Sequence, residues 1–150
     1  MINKKQKQDI NNLYQFLSKN LAPGPKTIGL IVTSGQSPRA VTDCLPVANQ
    51  AVIVDASSGE VAENYLRELK DHLSLSKTVI LQIGSNLEPA IYNQLSNIAN
   101  SGRMDWNEAD EKMYLEVPEE SVLILQIDND DLKNLNYDNL HDLVSPVVRL

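Results

Sequence analysis

Residues 27–39 read Thr-Ile-Gly-Leu-Ile-Val-Thr-Ser-Gly-Gln-Ser-Pro-Arg. An unbroken apolar run, Ile28–Thr33, carries no polar alternation, so both of its faces must be covered, as in the inner strands of a parallel sheet. The run passes into a small polar turn, and the turn into a helix start. Ser37 suits the cap, and Pro38 suits the first helical position, where its missing N–H costs nothing. A strand, a Gly-containing turn and a helix N-terminus are the parts from which α/β proteins build phosphate cradles.

Working outward, three more runs have the same character: Ala51–Asp55, Thr78–Ile83 and Ser121–Asp128. Each of the first three strands leads into a helical pattern. After the first, Val41, Cys44, Leu45 and Ala48 share a face until Pro46 kinks or ends the helix. After the second, Ser57 and Glu60 have capping-box spacing, and Val61, Tyr65, Leu69 and Leu73 line up. After the third, Ser85 and Glu88 repeat that spacing, followed by Ile91, Leu95, Ile98 and Ala99. This alternation predicts an α/β fold, a three-layer α/β/α sandwich around a mainly parallel five-stranded sheet. Pro146–Leu150 supplies the fifth strand, after a leucine-spaced segment through Leu132, Leu135, Leu140 and Leu143.

Two additions flank this core. Ile10, Leu13, Tyr14, Leu17 and Leu21 recur every three or four residues, predicting an N-terminal amphipathic helix within residues 1–22 that Ala22-Pro23-Gly24-Pro25 terminates. Between the third helix and fourth long strand, Arg103–Trp106 and Lys112–Val117 flank a polar Asn107–Glu111 turn, predicting a small β-hairpin insertion. The 150 residues are expected to form one domain.

Composition narrows the function classes. No apolar run approaches the roughly 20 residues that span a bilayer. No secretory signal follows Met1, and the single cysteine, Cys44, cannot form an internal disulfide; the expectation is a cytoplasmic protein. Net charge is −7, unevenly spread: residues 1–104 hold ten Lys/Arg against eight Asp/Glu, and residues 105–150 hold three against twelve. An acidic back third repels phosphates, so duplex nucleic acid is not an expected partner.

A working phosphate loop has the form G-x-x-x-x-G-K-[ST], in which lysine neutralises the outer phosphates and a hydroxyl ligates magnesium. With the loop beginning at Ser34, the second glycine, the lysine and the hydroxyl fall on Arg39, Ala40 and Val41; beginning one residue earlier, they fall on Pro38, Arg39 and Ala40, so Arg39 could supply charge but the hydroxyl is still absent. The anion- or nucleotide-binding candidates are therefore the backbone of Ser34, Gly35, Gln36 and Ser37, with Arg39 as the one charge. Asp128 and Asp130 follow a buried strand and are candidate magnesium ligands or, as Asp-x-Asp, an aspartyl phosphatase pair. Leu132 stands where such phosphatases carry threonine. It also replaces the third ligand of an EF-hand, and Lys133 replaces its glycine. Trp106 and Tyr114 flank the acidic hairpin tip and are candidate partner anchors. His72 and His141 read as surface residues, and Cys44 as a small buried hydrophobe.

From residue 78 onward the order of features resembles the AAA+ ATPases, nearest the restriction-NTPase and chelatase-like branch, and the resemblance covers most of residues 27–150. Thr78–Ala90 resembles that family's Walker B strand and following turn, and Ile91–Met104 its helix leading to a pre-sensor hairpin. Val117–Asp130 resembles its VPEN lead-in and sensor 1 strand, and Leu135–Leu150 the segment carrying the arginine finger into the last core strand. The resemblance implies a P-loop NTPase-like core, but the catalytic positions depart from it. Leu81-Gln82 stands where the family has Asp-Glu, the sensor asparagine falls near Asp128 or Asn129, and the arginines fall on Asp142, Leu143 and Val144. The chain ends where a lid domain would begin. Phosphoryl transfer relies on these charged groups. The expectation is thus a non-catalytic, pseudo-ATPase-like module that binds another protein or assembles with itself. Nucleotide or magnesium would be at most weakly held, with no cofactor expected. The alternative is a small magnesium-dependent, phosphate-directed enzyme using Asp128 and Asp130.

Overall fold

The computed structural model describes every residue except Met1, Asn20, Ala22, Ala48, Asn49, Ser58, Gly59, Glu60, Val61 and Ser76. In chain order the elements are α1 (Lys4–Lys19), β1 (Ile28–Thr33), α2 (Pro38–Thr42), β2 (Ala51–Asp55), α3 (Ala62–Ser74), β3 (Thr78–Gln82) and α4 (Pro89–Ser101). There follow β4 (Arg103–Glu108), β5 (Glu111–Glu116), β6 (Val122–Asp128), α5 (Asn129–Lys133), a 3₁₀ turn at Leu140–Asp142 and β7 (Val144–Arg149). Five strands form one parallel sheet in the order β2-β3-β6-β1-β7, and β4 and β5 form a separate antiparallel pair.

Burial follows sheet position. The central strands β1 and β6 are buried almost throughout, and the edge strands β2 and β7 only in part. Each strand divides its apolar side chains between two cores. Leu30, Val79, Leu81, Leu123 and Leu125 pack with Tyr65, Leu69 and Leu73 of α3 and Ile91, Leu95 and Ile98 of α4. Ile31, Ile80, Val122 and Ile124 pack with Ile10, Leu13 and Leu17 of α1 and Val41 of α2. Helices therefore cover both faces, which is why the strands lack polar alternation. Gly29 lies directly beneath α1: a Cβ there would stand 2.9 Å from a Leu17 methyl.

Several local expectations need correction. The helix after β1 is only five residues long; Ser37 and Pro38 start it as read, and the chain turns out of it before Pro46. Ser85 does not cap α4. That helix starts at Pro89 behind Glu88, whose side chain makes no cap hydrogen bond. The Ser85 carbonyl instead accepts the Asn136 N–H (3.0 Å), while the Asn136 side chain accepts the Leu87 N–H (2.9 Å). The hairpin turn is Ala109-Asp110 rather than Asn107–Glu111, so both strands run further toward the tip. Leu21 lies beyond α1 and is 39% exposed. Ala22, Ala48, Glu60 and Val61 fall outside the described residues.

Gly102 ends α4 in the left-handed conformation (φ +71°), its N–H bonded to the Ile98 carbonyl (2.9 Å). A Cβ at Gly102 would lie 2.0 Å from the Gly24 carbonyl oxygen. The connection after α1 thus crosses over the end of α4, and only glycine permits both the backbone angle and the approach.

Candidate functional site

Open α/β sheets bind ligands beyond the carboxyl ends of their strands, where neighbouring strands send their connections to opposite faces. Here that point lies between β1 and β6. The chain leaves β1 through α2, which packs on the α1 face. It leaves β6 through α5, whose Leu132 packs on the α3–α4 face. Register sets Thr33, the last residue of β1, beside Asp128, the last of β6.

The crevice between these ends is closed by the chain's own carboxylate. Asp128 Oδ1 accepts the Gly35 N–H (2.8 Å) and the Thr33 hydroxyl (3.1 Å), and Oδ2 accepts a long bond from the Asp130 N–H (3.5 Å). Gly35 sits at φ +90°, a conformation glycine adopts freely. That angle presents its amide to β6. The Gly35 N–H, then desolvation in the opposite sense, then the Thr33 hydroxyl act on Asp128, and together they hold its carboxyl below the usual carboxylate range.

Other donors of the turn are also engaged. Ser34 N–H donates to Gln36 Oε1 (2.6 Å), Ala40 N–H to Ser37 Oγ (3.2 Å) and Val41 N–H to the Ser37 carbonyl (3.2 Å). The Ser34 hydroxyl donates to the Leu150 carbonyl (3.0 Å), tying the turn to the end of β7. Ser34, Gly35, Gln36, Ser37 and Arg39 thus lie together on one turn, with Arg39 exposed. An anion placed at Gly35 would displace, and be repelled by, a carboxylate already there.

Asp128 and Asp130 are neighbours without being a converging pair. Asp128 is half-buried and occupied as described, and it caps α5; Asp130 is exposed in the first turn of that helix. Among the described residues no group of three or more His, Cys, Asp or Glu side chains is arranged to hold a metal ion.

Trp106 and Tyr114 belong to opposite faces of the hairpin. Cross-strand partners share a face, and the pairs are Trp106 with Met113 and Asp105 with Tyr114. Trp106 looks inward, lining a groove of about 470 Å³ against Leu66, Arg67 and Lys70 of α3 and Gln94 of α4. Lys70 Nζ stands 4.4 Å over its ring, and its indole N–H donates to Glu108 (3.3 Å). Tyr114 looks outward, 61% exposed, with the Arg103 guanidinium 5.1 Å from its ring. The two aromatics do not form one patch.

Three further residues, which no sequence motif singled out, lie at or beside these positions. Gln94 clamps β4 to α4: its Nε2 donates to the Asp105 carbonyl and its Oε1 accepts the Asp105 N–H (3.0 Å). Gln126 is 1% exposed on β6, with its Oε1 unpaired among the described residues, and register sets it beside Gln82 of β3. A polar residue inside the apolar run Val122–Ile127 is a visible signal, because buried polar groups are exceptional. Thr33 could be recognised only through its pairing with Asp128. Cys44 is partly exposed, its thiol donating to the Ala40 carbonyl (3.3 Å), and burial pushes it up from its ordinary pKa. His141 is exposed and His72 half-buried.

No protein-family model matches the chain, and no curated protein is similar to it in sequence. Among the described residues no helix is long and apolar enough to cross a membrane.

Proposed function

We propose that this chain is a non-catalytic, degenerate AAA+-like (P-loop-like) module that acts by binding protein or by assembling with itself. The observation that carries the reading is the hydrogen bond from Gly35 N–H to Asp128. The donor best placed to meet a phosphate is held by an internal carboxylate, and the position expected for the phosphate-binding lysine holds Ala40 or, with the loop begun one residue earlier, Arg39, with no hydroxyl following in either case. Leu81-Gln82 offers neither an anionic metal ligand nor a general base, since a glutamine amide does neither at neutral pH. Asp142, Leu143 and Val144 supply no cation. Binding of nucleotide or other anions at Ser34–Ser37 is then at most weak.

The magnesium-dependent alternative through Asp128 and Asp130 draws less support. One carboxylate is committed to three protein donors and the other is exposed to solvent. A phosphatase whose activity vanished in Asp128→Asn would revive it.

The direct test is hydrolysis of ATP and GTP with magnesium by the purified chain, with calorimetry alongside. The expected result is no turnover above buffer and no heat at millimolar nucleotide. Magnesium-dependent turnover that is lost in Arg39→Ala overturns the proposal.

A further inference from the structure

The hairpin has two free edges, and the structure treats them differently. Ala109 (φ 50°) and Asp110 (φ 65°) form a two-residue turn with both central residues left-handed, the arrangement that closes a tight hairpin with a hydrogen-bonded pair, here Glu108 and Glu111. Hydrogen-bonded and non-bonded pairs then alternate. Glu111, Met113 and Leu115 direct their backbone groups to β4, and Lys112, Tyr114 and Glu116 direct theirs away. Two contacts agree with this parity. Val117 N–H, next in the inward series, reaches the Gly102 carbonyl (2.9 Å), and Asp105, outward on β4, gives both its backbone groups to Gln94. Gln94 thus occupies the middle of the β4 edge, at Asp105, on the side where α4 packs. On the outer edge, among the described residues, the amides of Lys112, Tyr114 and Glu116 have no partner within the chain.

That open edge reads Lys112-Met113-Tyr114-Leu115-Glu116, which is complementary to itself in reverse. We propose that β5 pairs antiparallel with β5 of a second copy about a two-fold axis through Tyr114, making a four-stranded sheet. This deepens the assembly reading given above and rests on it. In that register Tyr114 faces Tyr114, Lys112 faces Glu116 twice, and Met113 faces Leu115 twice. On the outer face each row runs Arg103, Glu116, then Lys112 and Asn107 of the second copy, so charges alternate. On the inner face each row runs Trp106, Met113, then Leu115 and Met104 of the second copy, a continuous apolar band. Such cross-strand pairs are the units that stabilise sheets. Sliding two residues one way loses both ion pairs. Sliding two residues the other way sets Glu116 against Asp110. The same contact covers Met113 and Tyr114, 37% and 61% exposed, and extends a two-stranded sheet that has little stability of its own. A two-fold contact of this kind closes on itself rather than propagating. The net charge of −7 on each copy opposes approach at low salt, so the dimer is weak and is to be sought near about 0.15 M salt.

The test is sedimentation of the whole chain from about 10 µM to about 1 mM, with amide exchange followed at both ends of the range. Dimer should grow with concentration. Exchange should slow at Lys112, Tyr114 and Glu116, while Glu111, Met113 and Leu115 are slow throughout. Lys112→Glu and Glu116→Lys should each weaken association at least about tenfold, because both ion pairs become repulsive. Mixed together, the two variants should associate again, since each supplies the charge the other lacks. A wild-type chain that stays monomeric at the top concentration overturns the proposal. So does a mixture that fails to restore association, the result expected if this edge receives an extended segment of a different protein. Nucleotide hydrolysis measured on Lys112→Glu separates the two readings. Turnover there removes the non-catalytic reading and leaves the dimer, whereas a wild-type chain that shows neither dimer nor turnover removes only the dimer.

Discussion

Replacing Asp128 with alanine tests whether the β1 turn is held shut from within. The substitution removes the acceptor of three hydrogen bonds, from Gly35 N–H, Thr33 Oγ1 and Asp130 N–H. Thr33 is 2% exposed, so its hydroxyl loses its partner where water enters poorly, a cost of about 1 kcal/mol. The Gly35 amide is exposed and water replaces the carboxylate; with screening, that loss is about 0.5 kcal/mol. Losing the side-chain cap of α5 through a long bond adds about 0.5 kcal/mol. The total is about 2 kcal/mol, a fall in Tm of roughly 4–8 °C for a chain of this size. Asp128→Asn keeps an acceptor oxygen but loses the charge, and should cost about half as much. The acid behaviour separates charge from shape. The folded carboxyl lies below its unfolded value, chiefly through the Gly35 N–H. The folded state therefore binds fewer protons, and the stabilisation is full above the unfolded value of about 3.9. It is lost as pH falls through the folded value. Urea unfolding at neutral pH and at steps down to about pH 3 should show the gap between wild type and Asp128→Asn closing with acid. An alanine variant within about 0.3 kcal/mol of wild type at neutral pH, or an asparagine gap that persists in acid, refutes the reasoning.

Gly102→Ala should cost more than about 3 kcal/mol, because the new methyl meets the Gly24 carbonyl at a left-handed backbone angle; a thermal melt within a degree of wild type would show that the crossing is not tight. Gln94→Ala orphans both backbone groups of Asp105 and should cost about 1–3 kcal/mol. The loosened hairpin should also shift Trp106 emission, and unchanged fluorescence and stability would mean that β4 is held by packing alone.

Ile28–Thr33 and Ala51–Asp55 were legible as strands to the residue, because an apolar run bounded by turn residues has no other way to bury both faces. Ser37-Pro38 likewise announced a helix start, since capping is chemistry between residues a few positions apart. Polarity that interrupts an apolar run was equally visible at Gln82 and Gln126. Ser85 misled because its spacing to Glu88 fits a capping box, and only Asn136, arriving from a distant segment, claims the turn instead. The faces of Trp106 and Tyr114 depended on the length of the hairpin turn. A two-residue turn sets a register in which they point apart, and one residue more on either side reverses a face.

Sequence alone thus determined most of the strands and helices and the layered α/β class, all matters of local period and residue chemistry. Tertiary structure alone decided that the turn after β1 is closed. Asp128 lies 93 residues from Gly35, and nothing local directs one toward the other. They meet because β6 inserts beside β1, a choice made by the packing of two faces at once, and that choice sets a carboxylate against the Gly35 amide.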